Sequence, residues 1–235
     1  MAADIAPDTV TRASSAWLRF RNRLRFGLAT QEVLDRLARC GLVIYPYYFV
    51  DEPVRPRAGL VRPETLEFRQ LDESWVHRFS SLPDRPRNEA ITRAFLEYAT
   101  CIVALEHGEI VAHSWYTTHH IKGIAGANPI AALPPHCAYL FDMFVCRRAR
   151  GRLVAALLRN HVHGLLAAMG IRHAISVSLV FNSSTRRFKA KLGSSEPELR
   201  LLLRLKPFPG IDLRLRRRPW LLSTPRFAVA RRAQP

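Results

Sequence analysis

The segment from residue 139 to 170 has the strongest hydrophobic pattern in the chain, and it predicts a strand followed by a helix. The apolar run YLFDMFV at 139–145 is typical of a strand. After it, apolar residues recur at spacings of three and four, which predicts an amphipathic helix with one buried face. These positions are Val154, Leu157, Leu158, Val162, Leu165, Leu166 and Met169. Gly170 follows the last of them and predicts a left-handed helix stop.

Similar patterns predict the other elements of the chain. Residues 101–105 and 110–118 are strand-like and enclose a short turn with a glycine, which is typical of a hairpin. Pro46 should confine its strand to a sheet edge or bend it. Val33, Leu34 and Leu37 are expected to face inward, and Val76 to Phe79, then Ile91, Phe95 and Tyr98, show helical spacing. The predicted helices are 16–26, 31–40, 72–82, 88–98 and one that begins at Asn182, and the remaining strands are 41–50, 66–71, 173–181, 199–205 and 211–215.

A basic turn joins the strand at 139–145 to its helix. Arg148, Arg150 and Arg152 lie in this turn beside Gly151. The first turn of a helix has unpaired backbone N–H groups and the positive end of the helix dipole. The sequence therefore predicts an anion site at this junction.

This junction resembles the acyl-CoA binding segment of the GNAT acetyltransferases, whose pyrophosphate loop has the pattern R/Q-x-x-G-x-G/A. Arg150 matches the first position of that pattern and Ala155 the last. Leu153 replaces the middle glycine, so its side chain has to point away from the phosphates, and Arg147 replaces a proline that is common just before the loop.

A second stretch, NSSTRRFKAKLGS at 182–194, resembles the later landmark of the same family, N-x-x-A-x-x-L-Y-x-K-x-G-F. Asn182, Lys191 and Gly193 match it in phase. Lys189 stands at the tyrosine position and Ser194 at the phenylalanine position. The resemblance covers roughly residues 65–216.

The resemblance implies an α/β (α+β) fold of the GNAT type, with a mixed, mostly antiparallel sheet flanked by helices. It divides the chain into an N-terminal extension at 1–60, an acyltransferase domain at 61–218 and a basic tail at 219–235. The extension should contain amphipathic helices and an edge strand. Its first helix, at 16–26, is also compatible with a membrane-surface element, although a helix docked on the domain is the simpler interpretation.

The family's chemistry implies an acyl-CoA co-substrate, most simply acetyl-CoA, and no metal. In such a protein the strand before the loop holds the pantetheine arm and the thioester carbonyl, and the loop's N–H groups hold the phosphates. The residues at these places are Met143, Phe144, Val145, Arg150, Gly151, Arg152, Leu153, Val154 and Ala155, and Asn182 is a further cofactor-side candidate that could instead cap its helix.

Two residues are candidates for proton transfer. Asp142 is the only carboxylate on its strand and could accept the proton of the amine through water; alternatively it pairs with a neighbouring arginine and supports the strand. Lys189 could protonate the leaving thiolate if burial lowered its pKa. A phosphate contact or a solvated helix position are its other interpretations, and the solvated position is the simplest.

Histidines cluster in sequence around the expected acceptor side, at His113, His119, His120 and His136. Histidine is a plausible base near neutral pH. The His119–His120 pair has no partner at metal-ligand spacing and is more typical of a polar loop. The connection at 118–136 is long, as expected of a segment that borders a binding site.

Composition limits the class of protein. Hydrophobic residues make up 48% of 235, which excludes a mostly disordered chain, and no apolar run is long enough to span a membrane. The N-terminus has no secretory signal pattern, so we expect a cytoplasmic protein. Cysteines 40, 101, 137 and 146 form no C-x-x-C pair, which argues against a zinc knuckle, and Cys40, Cys101 and Cys146 should be packing residues.

The net charge of +17 is compatible with attraction to CoA, nucleic acid or an anionic surface, and equally with a bias towards arginine codons. The sequence therefore predicts an acyltransferase that moves an acetyl or other acyl group from CoA to an amine by direct attack. One alternative is a long-chain enzyme that resembles N-acyl amino acid or homoserine lactone synthases. Another is a degenerate fold that binds nucleic acid or an anionic surface without catalysis. The acceptor, a small-molecule or peptide amine, is not defined by the sequence.

Overall fold

The computed structural model describes residues 28–82, 84–121, 131–208 and 210–217. The predicted helix at 16–26 and the tail at 219–235 lie outside the described residues. The described residues form two compact units, one of 28–49 and 178–217 and the other of 50–177. The division at residues 60 and 218 stays a prediction. No described helix has the length and hydropathy needed to cross a membrane.

The unit of residues 50–177 contains a mixed, mostly antiparallel sheet with helices on both faces. Its strands are β2 (Leu66–Gln70), β3 (Thr100–Glu106), β4 (Glu109–Thr117), β7 (Cys137–Val145) and β8 (His173–Leu179). Strands β2, β3, β4 and β7 pair antiparallel in that order, and β7 pairs parallel with β8. The helices are α2 (Val76–Ser80), α3 (Glu89–Leu96) and α4 (Val154–Ala168), with 3₁₀ turns at Glu73–Trp75 and Arg147–Ala149. The last two residues of β8 belong to the other unit.

The other unit is built from the first helix and the last elements of the described chain. Its elements are α1 (Leu28–Arg39), β1 (Leu42–Pro53), α5 (Ser183–Lys191), β9 (Ser195–Leu205) and β10 (Ile211–Arg217). β9 and β10 pair antiparallel, and β1 is the next strand after β9 in the strand order. The residues of β1 from Val50 onward belong to the unit of residues 50–177, called the second unit below.

Local sequence signals explain several element boundaries. The β3–β4 hairpin turns at His107 and Gly108, whose φ angles of 50° and 76° both lie in the left-handed region, as a two-residue hairpin turn requires. α4 ends before Gly170, with φ 74°. Asn88 and Asn182 cap α3 and α5 by accepting hydrogen bonds from Ala90 N–H and Thr185 N–H. The predicted hairpin, helix stop and cap at Asn182 are thus confirmed.

Two apolar clusters cover the two faces of the sheet in the second unit. One contains the inward side of α4, with Leu157, Leu158 and Val162, packed on Ala112 and Leu140 of the strands. The other lies on the opposite face and includes Phe79, Leu82, Cys101, Val103, Trp115 and Cys146. The buried positions of Cys101 and Cys146 confirm their packing role.

Some predicted orientations are wrong. Pro46 does not lie on an edge strand: β1 has β9 on one side and β8 on the other, and Pro46 accepts a hydrogen bond from Val180 N–H through its carbonyl. Val33 is exposed instead of inward-facing, Ile91 and Met169 are exposed although they fit a helical spacing, and Cys40 is also exposed. Short helices such as α3 bury a narrow stripe, and Thr92 takes the fully buried position there.

The helix α4 buries polar side chains as well as apolar ones. Arg159 and His163 are buried against Glu52, which is itself fully buried. His163 Nε2 lies 2.8 Å and Arg159 Nε 3.8 Å from Glu52 Oε1. A buried carboxylate needs such partners. These polar contacts hold Glu52 of β1 against α4, in addition to the apolar packing of the helix.

The long connection after β4 begins and ends with two short strands. β5 (His120–Ile121) pairs antiparallel with β6 (Ala131–Ala132). Residues 122–130 lie outside the described residues.

Truncation to alanine should destabilise the protein more at a buried position of α4 than at an exposed position of α3. Leu158→Ala removes a side chain with no exposed area and should lower the free energy of unfolding by about 3 kcal/mol. Ile91→Ala, at a position that is 51% exposed, should change it by less than about 0.5 kcal/mol. Urea denaturation of both variants measures the difference. Equal losses would contradict the orientation of α3.

Candidate functional site

The strand β7 offers one free backbone edge near its end. It pairs with β8 only from Cys137↔His173 to Leu140↔Ser176. It then continues to Val145 while still paired with β4 on the other side. Residues 141–145 therefore have backbone groups along one edge that are not used by the register with β8. These groups could bind an extended ligand by hydrogen bonds of the kind that join strands.

A β-bulge changes the direction of the side chains in this part of β7. His113 pairs with Phe144 and Trp115 pairs with Phe141, so that two residues of β7, Asp142 and Met143, oppose one residue of β4. Asp142 has φ 51°, a left-handed conformation that aspartate tolerates better than most residues. The bulge allows both Asp142 and Phe144 to face His113.

The carboxylate of Asp142 is held by two arginines from the loop between α2 and α3. Arg85 Nη1 lies 2.8 Å from Asp142 Oδ1, and Arg87 Nη2 contacts Oδ2. His113 Nε2 is 3.7 Å from Oδ2, beyond hydrogen-bond distance. Asp142 therefore pairs with arginines, as its second interpretation expected, but these arginines are distant from it in sequence.

Charge and burial set the protonation states in this cluster. Burial alone would raise the pKa of Asp142, but His113 and the guanidinium groups of Arg87 and Arg85 outweigh it and lower that pKa. Burial lowers the pKa of His113, more than Asp142 raises it. Near pH 7 Asp142 is therefore ionised and His113 neutral.

Aromatic rings enclose the same cluster. The rings of Phe79 and Phe144 lie 4.8 and 5.6 Å from His113, measured between centroids. The guanidinium carbon of Arg87 is 5.7 Å from the Phe79 centroid, and that of Arg85 is 5.4 Å from Phe144. These contacts restrict both arginines to one orientation.

The basic turn after β7 leads directly into α4. Cys146 N–H donates to Val111 O, a 3₁₀ turn follows, and Gly151 has φ 79° before α4 begins at Val154. A Cβ on Gly151 would meet no atom within 4 Å, so it is the backbone conformation that favours glycine here. Leu153 is 62% exposed, so its side chain lies outside the core.

The arginines of this turn fall into two groups. Arg147 is held by Asp84 through its backbone N–H, and Arg152 forms a bidentate pair with Glu106. Arg148 and Arg150 are exposed, and no carboxylate among the described residues lies within ion-pair distance of either. Arg150 donates to Val145 O and its guanidinium lies 5.7 Å from the Phe144 centroid. The turn thus presents free positive charge beside the α4 N-terminus.

The structure brings most of the predicted site residues together. Asp142, the strand residues at 143–145 and the turn residues at 150–155 lie on one stretch of chain in the unit of residues 50–177, where Val154 is buried and the turn residues 150–153 are exposed. Asn182 and Lys189 lie in the other unit. Asn182 is the cap of α5, and Lys189 is 5% exposed, so the solvated interpretation of Lys189 is wrong.

The histidines of the sequence cluster differ in their surroundings, and the side chain of His120 lies outside the described residues. His113 is buried in the middle of β4, whereas His119 and His136 are exposed. His136 contacts Gly170 O at 3.1 Å. Among the described residues no three His, Cys, Asp or Glu side chains are placed to hold a metal.

Sequence reasoning missed Arg85, Arg87, Asp84 and Glu106. Each of them contacts a residue that is distant in the chain. Glu106 and Asp84 contact residues 46 and 63 positions away, and the two arginines contact Asp142, which is similarly distant. Asp84, Arg85 and Arg87 lie in the stretch LPDRPRN, which carries turn signals only, and Glu106 lies at the end of a strand, so no local pattern could have identified them.

Solved structures with a similar fold include acetyltransferases. A Drosophila protein matches at a TM-score of 0.52 and 13% identity, covering 76% of this chain and 57% of that one. A putative GNAT-family acetyltransferase from Novosphingobium aromaticivorans matches at 0.50 and 18%, covering 70% and 66%. A tandem GNAT protein from the clavulanic acid biosynthesis pathway matches at 0.52 and 14%, covering 73% and 54%.

At these identities the similarity concerns the fold, and the chain has the fold of the GNAT acetyltransferases. The matched region spans 57% of the length of the Drosophila protein and 66% of the length of the Novosphingobium protein, less than two thirds in both cases. No protein-family model and no curated protein matches the sequence.

The ion cluster predicts an acid-dependent stability. Asp142→Asn leaves Arg85 and Arg87 without their carboxylate and should lower the free energy of unfolding by about 3 kcal/mol near pH 7. Because the folded-state pKa of Asp142 is lowered, its contribution is complete above about pH 5 and is lost as pH falls below about 4. The gap between wild type and variant should therefore narrow as pH falls from 5 to 3, as measured by urea denaturation between pH 3 and 7.

Asp72→Asn is the matched control. Asp72 also pairs with an arginine, Arg69, but both side chains are half exposed. Its loss at pH 7 should be much smaller. A gap for Asp142→Asn that stays constant down to pH 3 would contradict the assignment of its charge.

Proposed function

We propose that this protein is an acyltransferase that moves an acyl group, most simply acetyl, from coenzyme A to an amine. The observation that carries the proposal is the turn between β7 and α4, set in a GNAT fold. There Gly151, in a left-handed conformation, leads the chain into a helix N-terminus beside the exposed Arg148 and Arg150. Backbone N–H groups, the helix dipole and two guanidinium groups without a carboxylate at ion-pair distance together suit a pyrophosphate.

In this proposal the two arginines that are held by carboxylates shape the turn, and the remaining residues of the turn bind the cofactor. Asp84 and Glu106 hold Arg147 and Arg152, so the loop does not have to be ordered when the ligand arrives. The N–H groups at 151–155 would meet the phosphates. The free edge of β7 at Met143, Phe144 and Val145 would bind the pantetheine arm and orient the thioester carbonyl.

The reaction itself needs a neutral amine next to the thioester. The lone pair of the amine nitrogen attacks the carbonyl carbon, a C–N bond forms, the C–S bond breaks and CoA leaves as a thiolate. The amine loses one proton, and the thiolate gains one. Alignment of the two reactants is the main contribution that a scaffold of this kind makes.

We assign Asp142 a positioning role in place of a direct proton transfer. Its lowered pKa keeps it ionised at neutral pH, and its two oxygens are already bound by Arg85 and Arg87. A carboxylate in this state is a weak base, but it orients the guanidinium groups beside Phe144. A role of the buried Lys189 in protonating the thiolate stays a prediction.

The site assignment predicts a loss of CoA binding on changing Gly151. Gly151→Glu places a negative charge at the proposed phosphate position and strains a left-handed residue, so the Kd for acetyl-CoA should rise more than about a hundredfold. Calorimetric titration measures the Kd directly. Gly108→Glu is the control, because Gly108 has a similar φ of 76° and open space around it but lies in the β3–β4 turn.

Three outcomes separate the alternatives. Wild-type binding of acetyl-CoA that is lost in Gly151→Glu and kept in Gly108→Glu supports the proposal. Tighter binding of palmitoyl-CoA than acetyl-CoA would replace acetyl with a long-chain donor. Binding of neither donor, together with salt-dependent binding of DNA, would favour the non-catalytic alternative.

A further inference from the structure

The ion cluster around Asp142 carries more positive than negative charge. Two guanidinium groups, Arg85 and Arg87, share one carboxylate, and His113 is buried and neutral. One positive charge is therefore left over. A surplus charge of this kind at the edge of an apolar cluster is favourable only if water or an anion solvates it.

Arg85 is the member of the pair that carries this surplus charge to the surface. The side chain of Arg87 is 12% exposed and lies against Phe79, whereas that of Arg85 is 41% exposed. The guanidinium group has five N–H donors, and the contact with Asp142 Oδ1 is made through Nη1. Donors remain on its exposed side.

The loop that carries Arg85 is fixed on both sides of it. Asp84 binds Arg147 N–H at 2.7 Å, and Arg87 N–H donates to Ser80 O at 2.8 Å. The Arg85 guanidinium also lies over the ring of Phe144. An arginine held in this way loses little conformational entropy when it binds a ligand.

Arg85 is also next to the place where acyl transfer is proposed to occur. Phe144 belongs to the part of β7 assigned to the thioester, and the Arg85 guanidinium is 5.4 Å from its ring centroid. The attacking amine has to come within about 3–3.5 Å of the carbonyl carbon. A second group on the same small acceptor then falls within reach of Arg85.

We propose that Arg85 is the specificity-determining residue for the acceptor and that the acceptor is an amine that also carries an oxyanion, a carboxylate in the simplest case. A guanidinium fork matches the geometry of a carboxylate, and the surplus charge disfavours acceptors with several ammonium groups. This inference rests on the proposed acyl transfer. The same oxyanion chemistry could come from the phosphates of CoA, and the test separates the two sources.

The experiment measures acetylation by the full chain with three groups of amines. The first group is the standard amino acids and phosphoethanolamine, the second is the primary carboxamides of the same amino acids, and the third is putrescine and spermidine. Release of the CoA thiol reports turnover. We expect turnover in the first group, with kcat/KM at least about tenfold above that of the matched carboxamide, the size expected for a hydrogen bond to a charged group.

Arg85→Gln should remove this preference. Its kcat/KM for the anionic amine should fall at least about tenfold, mainly through KM, with little change for the carboxamide and in the Kd for acetyl-CoA. Arg85→Lys keeps the charge without the fork and should fall between the two. Arg69→Gln is the control: Arg69 is also half exposed, pairs with an aspartate and lies 4.9 Å from the centroid of a ring, that of Trp75, but it is on β2.

Each other result overturns the inference in a distinguishable way. Turnover of carboxamides or polyamines as fast as amino acids, or no turnover of any group while acetyl-CoA binds, excludes an anionic acceptor but leaves the CoA site intact. A weaker Kd for acetyl-CoA in Arg85→Gln, with the acceptor preference unchanged, assigns the arginine to the CoA phosphates. No binding of acetyl-CoA by wild type contradicts the proposed function itself.

Discussion

The charge of Asp142 is the constraint that most of the site depends on. The carboxylate sits on a bulge in β7, largely removed from water, and a charge there is tolerated only with close counter-charges. Arg85 and Arg87 supply them from a loop that has no strand or helix of its own to define its path. The loop between α2 and α3, the bulge and the interior of β4 are therefore fixed together.

Much of the fold could be predicted because its signals are local. The β3–β4 turn contains the glycine that a two-residue hairpin favours, α4 shows its spacing over four turns and ends at Gly170, and Asn182 precedes a helix start. The stretch from Tyr139 to Ala155 combines a strand, a basic turn and a helix within a few residues. Each of these features depends on neighbouring residues, so a single sequence contains it.

The remainder depended on contacts between distant residues. Asp142 was identified as a carboxylate with two interpretations, but its partners lie more than fifty residues earlier in the chain. Arg159 and His163 interrupt the apolar face of α4, and only the buried Glu52 explains why they are inside. Conversely, Ile91 and Met169 fit a helical spacing but are half exposed. At such positions burial depends on whether another element covers the helix.

The distribution of arginines explains why the net charge of +17 was a poor guide to function. Within the turn after β7, Arg147 and Arg152 are neutralised by Asp84 and Glu106, and they act as supports. Arg148 and Arg150 have no carboxylate at ion-pair distance among the described residues, and they stand beside the N-terminus of α4. Electrostatic binding depends on which charges keep no internal partner, because a paired guanidinium contributes little to the field that a ligand meets. Arg85 and Arg87 share the one carboxylate of Asp142, and exposure distinguishes them: the Arg85 side chain is 41% exposed and that of Arg87 is 12% exposed.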